Sequence, residues 1–288
     1  MRGATGNERG FVVTRIPIPL HAASMTPVVH EQARLTALQA APADPLVSRR
    51  MRERARRFWS GVPVLIRFCL LVDLSFAALY PVQEHFFKDA HSFAADFFDL
   101  DQESNAPAWW SSLQLSLTGL LLAGFAWHMF DRRDKRSWVL AGAPLMFLFL
   151  SLDEAAMIHE SLGRKLDALV DLTNRRASML QETGVWMLFC GPLLVAAIAM
   201  MGWAAAKYFR GRKRIATMFI TGFALLVGAS TGVELLSNFV GQGIGYTVET
   251  LVEETGELLG ESVLLWASLE LLKSYGIAVM HKSSRLES

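Results

Sequence analysis

The sequence predicts an all-α, polytopic membrane helical bundle of about six transmembrane helices, with both termini cytoplasmic. Three observations carry this. Apolar residues fall in runs of about twenty, the length that crosses roughly 30 Å of hydrocarbon. Hydrophobic residues make up 52% of the 288-residue chain, charged residues only 19%, and mean hydropathy is +0.30. Lysine and arginine gather in alternate loops, which hides behind a net charge of only +1. Together these exclude a soluble globular enzyme and a mostly disordered chain. Cys69 and Cys190 both fall inside apolar runs, so neither a disulfide framework nor a cysteine zinc site is expected.

Residues 1–48 mix Pro, Ala, Thr and Arg without a usable apolar period and lack the long apolar run of a secretory signal. They read as a disordered cytoplasmic tail. A six-helix domain follows over 49–275, then a second cytoplasmic tail over 276–288. The first span is expected at about 62–80, with Asp73 near its middle. Over 84–100, Phe86, Phe87, Phe93, Phe97 and Phe98 recur at near-helical spacing between Asp89, Asp96 and Asp99, as in an amphipathic helix lying in the interface. Trp109 and Trp110 read as interface anchors where the second span, about 111–130, enters the bilayer. The third span is expected at about 138–158, its helix extending outward into the polar stretch 161–182. Spans at about 185–207, 214–236 and 251–273 complete the set.

Orientation follows from the basic residues. Arg49, Arg50, Arg52, Arg54, Arg56 and Arg57 precede the first span, and Arg132, Arg133, Lys135 and Arg136 separate the second from the third. Lys207, Arg210, Arg212, Lys213 and Arg214 separate the fourth from the fifth, and Lys273, Lys282 and Arg285 follow the sixth. The opposite side has only Lys88, Arg164, Lys165, Arg175 and Arg176. The positive-inside rule then puts both termini inside, in a bacterial inner membrane. The bilayer is the expected partner, and the basic loops are no nucleic-acid signal.

The acids converge on the outer side of this topology. Asp153, Glu154, His159 and Glu160 end the third span, Glu234 lies near the outer end of the fifth, and Glu249, Glu253, Glu254, Glu257 and Glu261 open the sixth. Glu249, Glu253, Glu257 and Glu261 form one helical stripe, flanked by Gly256 and Gly260, which would let another helix approach closely. Gly228 and Gly232 form a similar small pair before Glu234. Asp153 and Glu160, seven apart, share a face of a continuous helix, with Glu154 and His159 to either side. His85 and His91 lie upstream on the same side. Asp101, Glu103 and Asn105 fit a helix N-terminus, with Asn105 as cap and Pro107 in the first turn. Asp73 could serve a polar pathway or bond a neighbouring helix, and Arg67, six residues away, lies on another face.

A carboxylate in hydrocarbon costs roughly 2.5–3.5 kcal/mol even on the lenient insertion scale, so such a cluster needs protons, bases, water or a cation. The outer parts of spans three, five and six contain no Lys or Arg. A divalent metal (Fe, Mn, Zn, Ca or Mg) is the expected cofactor, held by Asp153, Glu154, His159, Glu160, Glu234, Glu253, Glu254, Glu257 and Glu261. Neither the Glu-x-x-His pairs of ferritin-like sites nor the His-Glu-x-x-His of zinc hydrolases is present.

The stretch Leu100-Asp101-Gln102-Glu103-Ser104-Asn105-Ala106-Pro107-Ala108-Trp109-Trp110-Ser111-Ser112 is distinctive. So are Leu150-Ser151-Leu152-Asp153-Glu154 followed by His159-Glu160, and Glu253-Glu254 followed by Glu257 and Gly260-Glu261. In these motifs the chain resembles a family of uncharacterised bacterial multi-pass membrane proteins, over roughly residues 62–273. The resemblance supports six spans and brackets the acids as a set, and it implies no reaction. The expected function is cation or metal binding at an outward-facing carboxylate–histidine cluster, one form of it a metalloenzyme acting on a lipid or small periplasmic molecule. A proton- or cation-coupled transporter and a non-catalytic sensor or scaffold subunit stand as alternatives.

Overall fold

A computed structural model of the chain describes residues 59–87, 93–102, 104–169, 186–233 and 244–277, with Glu53 and Leu235. The chain divides at residue 60 into two units, and the second, Gly61–Ser288, holds the elements described below. The expected tails, 1–48 and 276–288, lie outside the described residues apart from Gly276 and Ile277.

Among the described residues all regular structure is helical. The elements are α1 (Val64–Phe86), α2 (Phe93–Phe98), α3 (Ala106–Met129), α4 (Lys135–Ala156), α5 (Ile158–Leu169), α6 (Trp186–Ala205), α7 (Lys213–Val227) and α8 (Ile244–Ser274). A π-helical turn, Gly228–Val233, continues α7. Three helices are long and apolar enough to cross a membrane: α1, α4, and α7 with its π turn. Helices α3, α6 and α8 occupy the other ranges where spans are expected. Ser, Gln and Trp dilute the hydropathy of α3, and glutamates that of α8.

The helix starts follow local chemistry. Asn105 caps α3, its side chain accepting from the Ala108 N–H at 3.1 Å, with Pro107 in the first turn, where a missing N–H is harmless. Asp134 caps α4 by accepting from the Arg136 N–H at 2.9 Å. The third predicted helix does not run on into 161–182. It ends at Met157, whose φ of 54° is left-handed, and α5 starts again at Ile158. A non-glycine residue in that region is uncommon and strained. Ser104, the other such residue among those described (φ 62°), touches Met157 at 3.5 Å between Oγ and Sδ.

Helix α8 is the hub, packing against α1, α3 and α7, while α3 packs on α4 and α4 on α6. One apolar cluster joins Ile66, Cys69, Phe76 and Tyr80 of α1 to Leu258 and Leu265 of α8. The other joins Phe125 of α3, Phe147 of α4, Phe219 and Leu226 of α7, and Leu264 and Leu271 of α8. Glycines set the closest approach. A Cβ on Gly260 would stand 2.6 Å from the Leu226 nitrogen, and one on Gly222 would stand 2.6 Å from Leu264 Cγ. A Cβ on Gly256 would meet Ala229 Cβ at 2.8 Å. The expected role of Gly256 and Gly260 holds, but their partner is Gly222 with Ala229. Gly228 and Gly232 have open space around their Cβ positions and make no such contact.

Burial is inverted relative to a soluble bundle. Val64, Leu71, Leu145, Leu193 and Ile220 are exposed, while Asp73, Gln114, Ser262 and Glu261 are among the most deeply buried side chains. A soluble monomer rarely exposes so much contiguous apolar surface, nor buries so many polar groups.

Candidate functional site

Helices α1, α3 and α8 enclose a polar interior. Asp73, fully buried on α1, receives Trp110 Nε1–H at 2.8 Å and Gln114 Nε2–H at 3.0 Å, both on Oδ1. Ser262 Oγ lies 2.6 Å from Asp73 Oδ2 and 2.8 Å from Gln114 Oε1. One residue along, Glu261 is 1% exposed, and its Oε1 accepts from Ser111 Oγ at 2.6 Å. Its Oε2 is buried without a hydrogen-bond partner. Three helices thus each supply a face of one network. Gln114 and Ser111 are three apart on α3 and so project the same way, while the consecutive Glu261 and Ser262 of α8 point about 100° apart.

The carboxylates of α8 and α4 approach this interior. Glu154 lies within electrostatic reach of both Glu257 and Glu261, and Glu253 and Glu254 within reach of Glu257. Asp73 in turn lies within reach of Glu261. The structure therefore brings Glu154, Glu253, Glu254, Glu257 and Glu261 together and adds Asp73. Glu261 alone of the α8 stripe is fully buried, while Glu253, Glu254 and Glu257 are half-buried.

Asp153 and His159 are placed differently. Because α4 breaks at Met157, the seven-residue spacing of Asp153 and Glu160 no longer sets a common face. Asp153 instead folds over the start of α5, accepting the His159 N–H at 2.7 Å, with His159 Nδ1 3.0 Å from its other oxygen. This pair caps a helix as much as it offers ligands. Glu234 and the side chain of Glu160 lie outside the described residues, as do His91 and Glu103. Among the described residues no three of His, Cys, Asp and Glu are arranged to hold a metal ion.

Two further expectations change. Trp110 is 8% exposed and serves Asp73, while its neighbour Trp109 is 65% exposed and keeps the position expected of an anchor. Successive residues on a helix point about 100° apart, so Trp109 can face outward while Trp110 turns inward. Asp101 does not sit on the α3 N-terminus. It accepts from Tyr246 Oη at 2.9 and 3.0 Å, tying the preceding loop to the start of α8. Gln114 and Ser262 carry no signal of their own in the sequence, where each is a lone polar residue in an apolar run, and Ser111 stood out only as part of the motif that ends at Ser112. Beside this interior, Ser112, Ser116 and Ser151 form a separate hydroxyl cluster joining α3 to α4, with Oγ–Oγ distances of 2.9 and 2.7 Å.

Fold and site define a helical bundle with apolar flanks and a buried carboxylate–amide–hydroxyl core. Residues 64–271 match a family described as Domain of unknown function (DUF8692), and the chain belongs to that family. Among curated proteins and among solved structures, nothing matches.

Proposed function

We propose that the protein is an integral inner-membrane bundle that takes up a cation from its acid-bearing side, at a vestibule formed by Glu154, Glu257 and Glu261. The observation that carries this is Glu261: a fully buried carboxyl group with one oxygen held by Ser111, the other unpartnered, and further carboxyl groups within reach. A buried carboxylate among like charges is costly unless something neutralises it.

Dimensions support a membrane setting for more than the three most apolar helices. Trp109 and the 88%-exposed Trp127 both lie on α3. At 1.5 Å per residue their eighteen steps span about 27 Å, close to the hydrocarbon thickness. Exposed tryptophans at both ends of a helix are what interface belts require. Helix α8, at 31 residues, is about 46 Å long. Measured back from Lys273, about twenty residues fill the bilayer, so Glu257 and Glu261 fall within it, Glu253 at its rim and Glu249 beyond it. The alternation of basic loops supports six spans, with the acid-bearing end outside and both termini inside.

A proton suffices for the described geometry. A divalent metal needs more oxygen ligands, for which Glu160 and Glu234 are the candidates. The vestibule is one-sided. Beyond Ser262, α8 buries Leu264, Leu265, Ala267, Leu271 and Leu272, with Ser268 between them returning its hydroxyl to the Leu264 carbonyl of its own helix, and among the described residues no carboxylate is buried on that stretch. That supports binding or sensing over passage across the membrane.

The test is elemental analysis and infrared spectroscopy of detergent-purified protein, wild type beside Glu261→Gln. Stoichiometric metal lost in the variant assigns a metal. A pH-dependent carboxyl band lost in the variant, with no metal in either, assigns a proton. If the variant loses neither a metal nor such a band, the proposal is overturned.

A further inference from the structure

The interior around Asp73 has a shortage of protons that can be counted. Three contacts close a ring through three side chains: Asp73 Oδ1 to Gln114 Nε2 at 3.0 Å, Gln114 Oε1 to Ser262 Oγ at 2.8 Å, and Ser262 Oγ to Asp73 Oδ2 at 2.6 Å. Each contact needs one hydrogen between its two heavy atoms. Gln114 serves one contact with its amide N–H, and its carbonyl end can only accept. Ser262 has a single hydroxyl hydrogen and serves one more. An ionised Asp73 brings none. Two hydrogens cannot fill three contacts.

The count does not depend on how the Gln114 amide is turned. With nitrogen toward Asp73, Ser262 must serve both Gln114 Oε1 and Asp73 Oδ2. With the amide reversed, Ser262 serves Asp73, and the Gln114 oxygen faces the Asp73 carboxylate bare. In either case two oxygens meet at hydrogen-bond distance with nothing between them. They do so in an interior where Asp73, Gln114 and Ser262 are all fully buried. Trp110 Nε1–H already points at Asp73 Oδ1 and cannot supply the missing hydrogen.

We propose that Asp73 is a proton-binding site: its carboxyl group carries the third hydrogen and is a neutral acid in the folded protein. The ring then closes in one direction. Asp73 O–H donates to Ser262 Oγ, Ser262 O–H donates to Gln114 Oε1, and Gln114 N–H donates to Asp73 Oδ1, which also accepts from Trp110. Every polar atom of the ring is satisfied and no charge is buried. The surroundings agree. The titratable groups that face Asp73 are Cys69 on its own helix and Glu261 on α8. Its contacts from α3 are Trp110 and Gln114. None of these is a base that could balance a negative charge. Asp73 is nine residues into α1, about 14 Å along the helix, so the proton sits near mid-depth. There it joins α1 to α8 and α3, and its loss turns a closed ring into a repelling oxygen pair at the junction of three helices. This assignment stands on contacts that do not include Glu261, and it survives or fails separately from the vestibule.

The test is infrared spectroscopy of the full-length protein in detergent at neutral pH. The wild-type-minus-Asp73→Asn difference is expected to show one hydrogen-bonded carboxylic-acid C=O band belonging to the wild type. Asparagine reproduces the neutral acid's pattern, donating to Ser262 and accepting from Trp110 and Gln114, so this variant is expected to fold. Ser262→Ala provides a second reading, because removing the hydroxyl deprives the acid of its acceptor and must move or abolish the same band. A carboxylate band lost from the wild type in Asp73→Asn overturns the proposal. So does the absence of any acid band that responds to either substitution.

Discussion

Asp134 has two tasks at the basic end of the bundle: it caps α4, and it forms an ion pair with Lys207 from the segment after α6. The hydrogen bond from Lys207 holds the Asp134 carboxyl below its ordinary range, and the same bond holds the Lys207 ammonium above its own. The aspartate's contribution is present above its unfolded value of 3.8 and is lost as pH falls through the lower folded value. That of the lysine is present below 10.5 and is lost as pH rises through the higher folded value. Asp134→Asn keeps an oxygen for the Arg136 N–H and removes the charge. Its melting temperature should trail that of wild type between these limits and converge with it beyond either one. The gap should be small and should shrink with salt, since both side chains meet solvent. A gap that persists well below pH 3.8 would assign the effect to the cap. At this scale the sequence marked the acids well, because a carboxylate in an apolar run has no cheap explanation. It marked Asp73 but not its partners, which lie 37, 41 and 189 residues away.

Two elements decide how the site is built. The α7–α8 interface is closed by Gly222, Gly256 and Gly260, where backbone meets backbone. Gly260→Ala drives a methyl group to 2.6 Å from the Leu226 nitrogen. Overpacking of that kind costs about 1–3 kcal/mol, and thermal unfolding in detergent should register it. Gly228→Ala meets nothing within 4 Å and should leave the melting temperature unchanged or raise it. Equal losses in the two variants would remove the close-packing account. The second element is the break at Met157. Periodicity alone extended α4 into the polar stretch, since Ile158, Leu162, Leu166 and Leu169 keep a helical rhythm. Nothing in that rhythm reports a single left-handed residue, yet there Asp153 folds over the start of α5 and pairs with His159.

At the scale of the whole molecule the prediction is topological. With six spans and the acid-bearing end outside, Ser104 and Gly211 lie on opposite sides of the membrane. A membrane-impermeant maleimide applied to intact cells should label Ser104→Cys, and should label Gly211→Cys only after the membrane is opened. Native Cys69 is buried and Cys190 half-buried, so background labelling should be low. Labelling of both positions in intact cells would exclude the six-span arrangement. The inverted burial belongs to this scale too. An apolar exterior over a polar interior suits hydrocarbon as the surrounding solvent, which tolerates exposed leucine and makes internal hydrogen bonding obligatory.

What the sequence determined by itself is whatever repeats along one chain: the all-helical class, the approximate helix limits, the cap at Asn105, the basic asymmetry and the glutamate stripe of α8. These follow from local propensity and from a period of 3.6 residues, which need no knowledge of neighbours. Tertiary structure decided which acids meet. It joined Glu154 to the α8 stripe, drew Asp73 into a ring with Gln114 and Ser262, turned Trp110 inward and gave Glu261 its one hydroxyl partner. The reason is physical. A buried polar group must find partners wherever the packing brings them, and α1, α3 and α8, far apart in sequence, meet because α8 packs against both, while its glycines close the separate contact with α7.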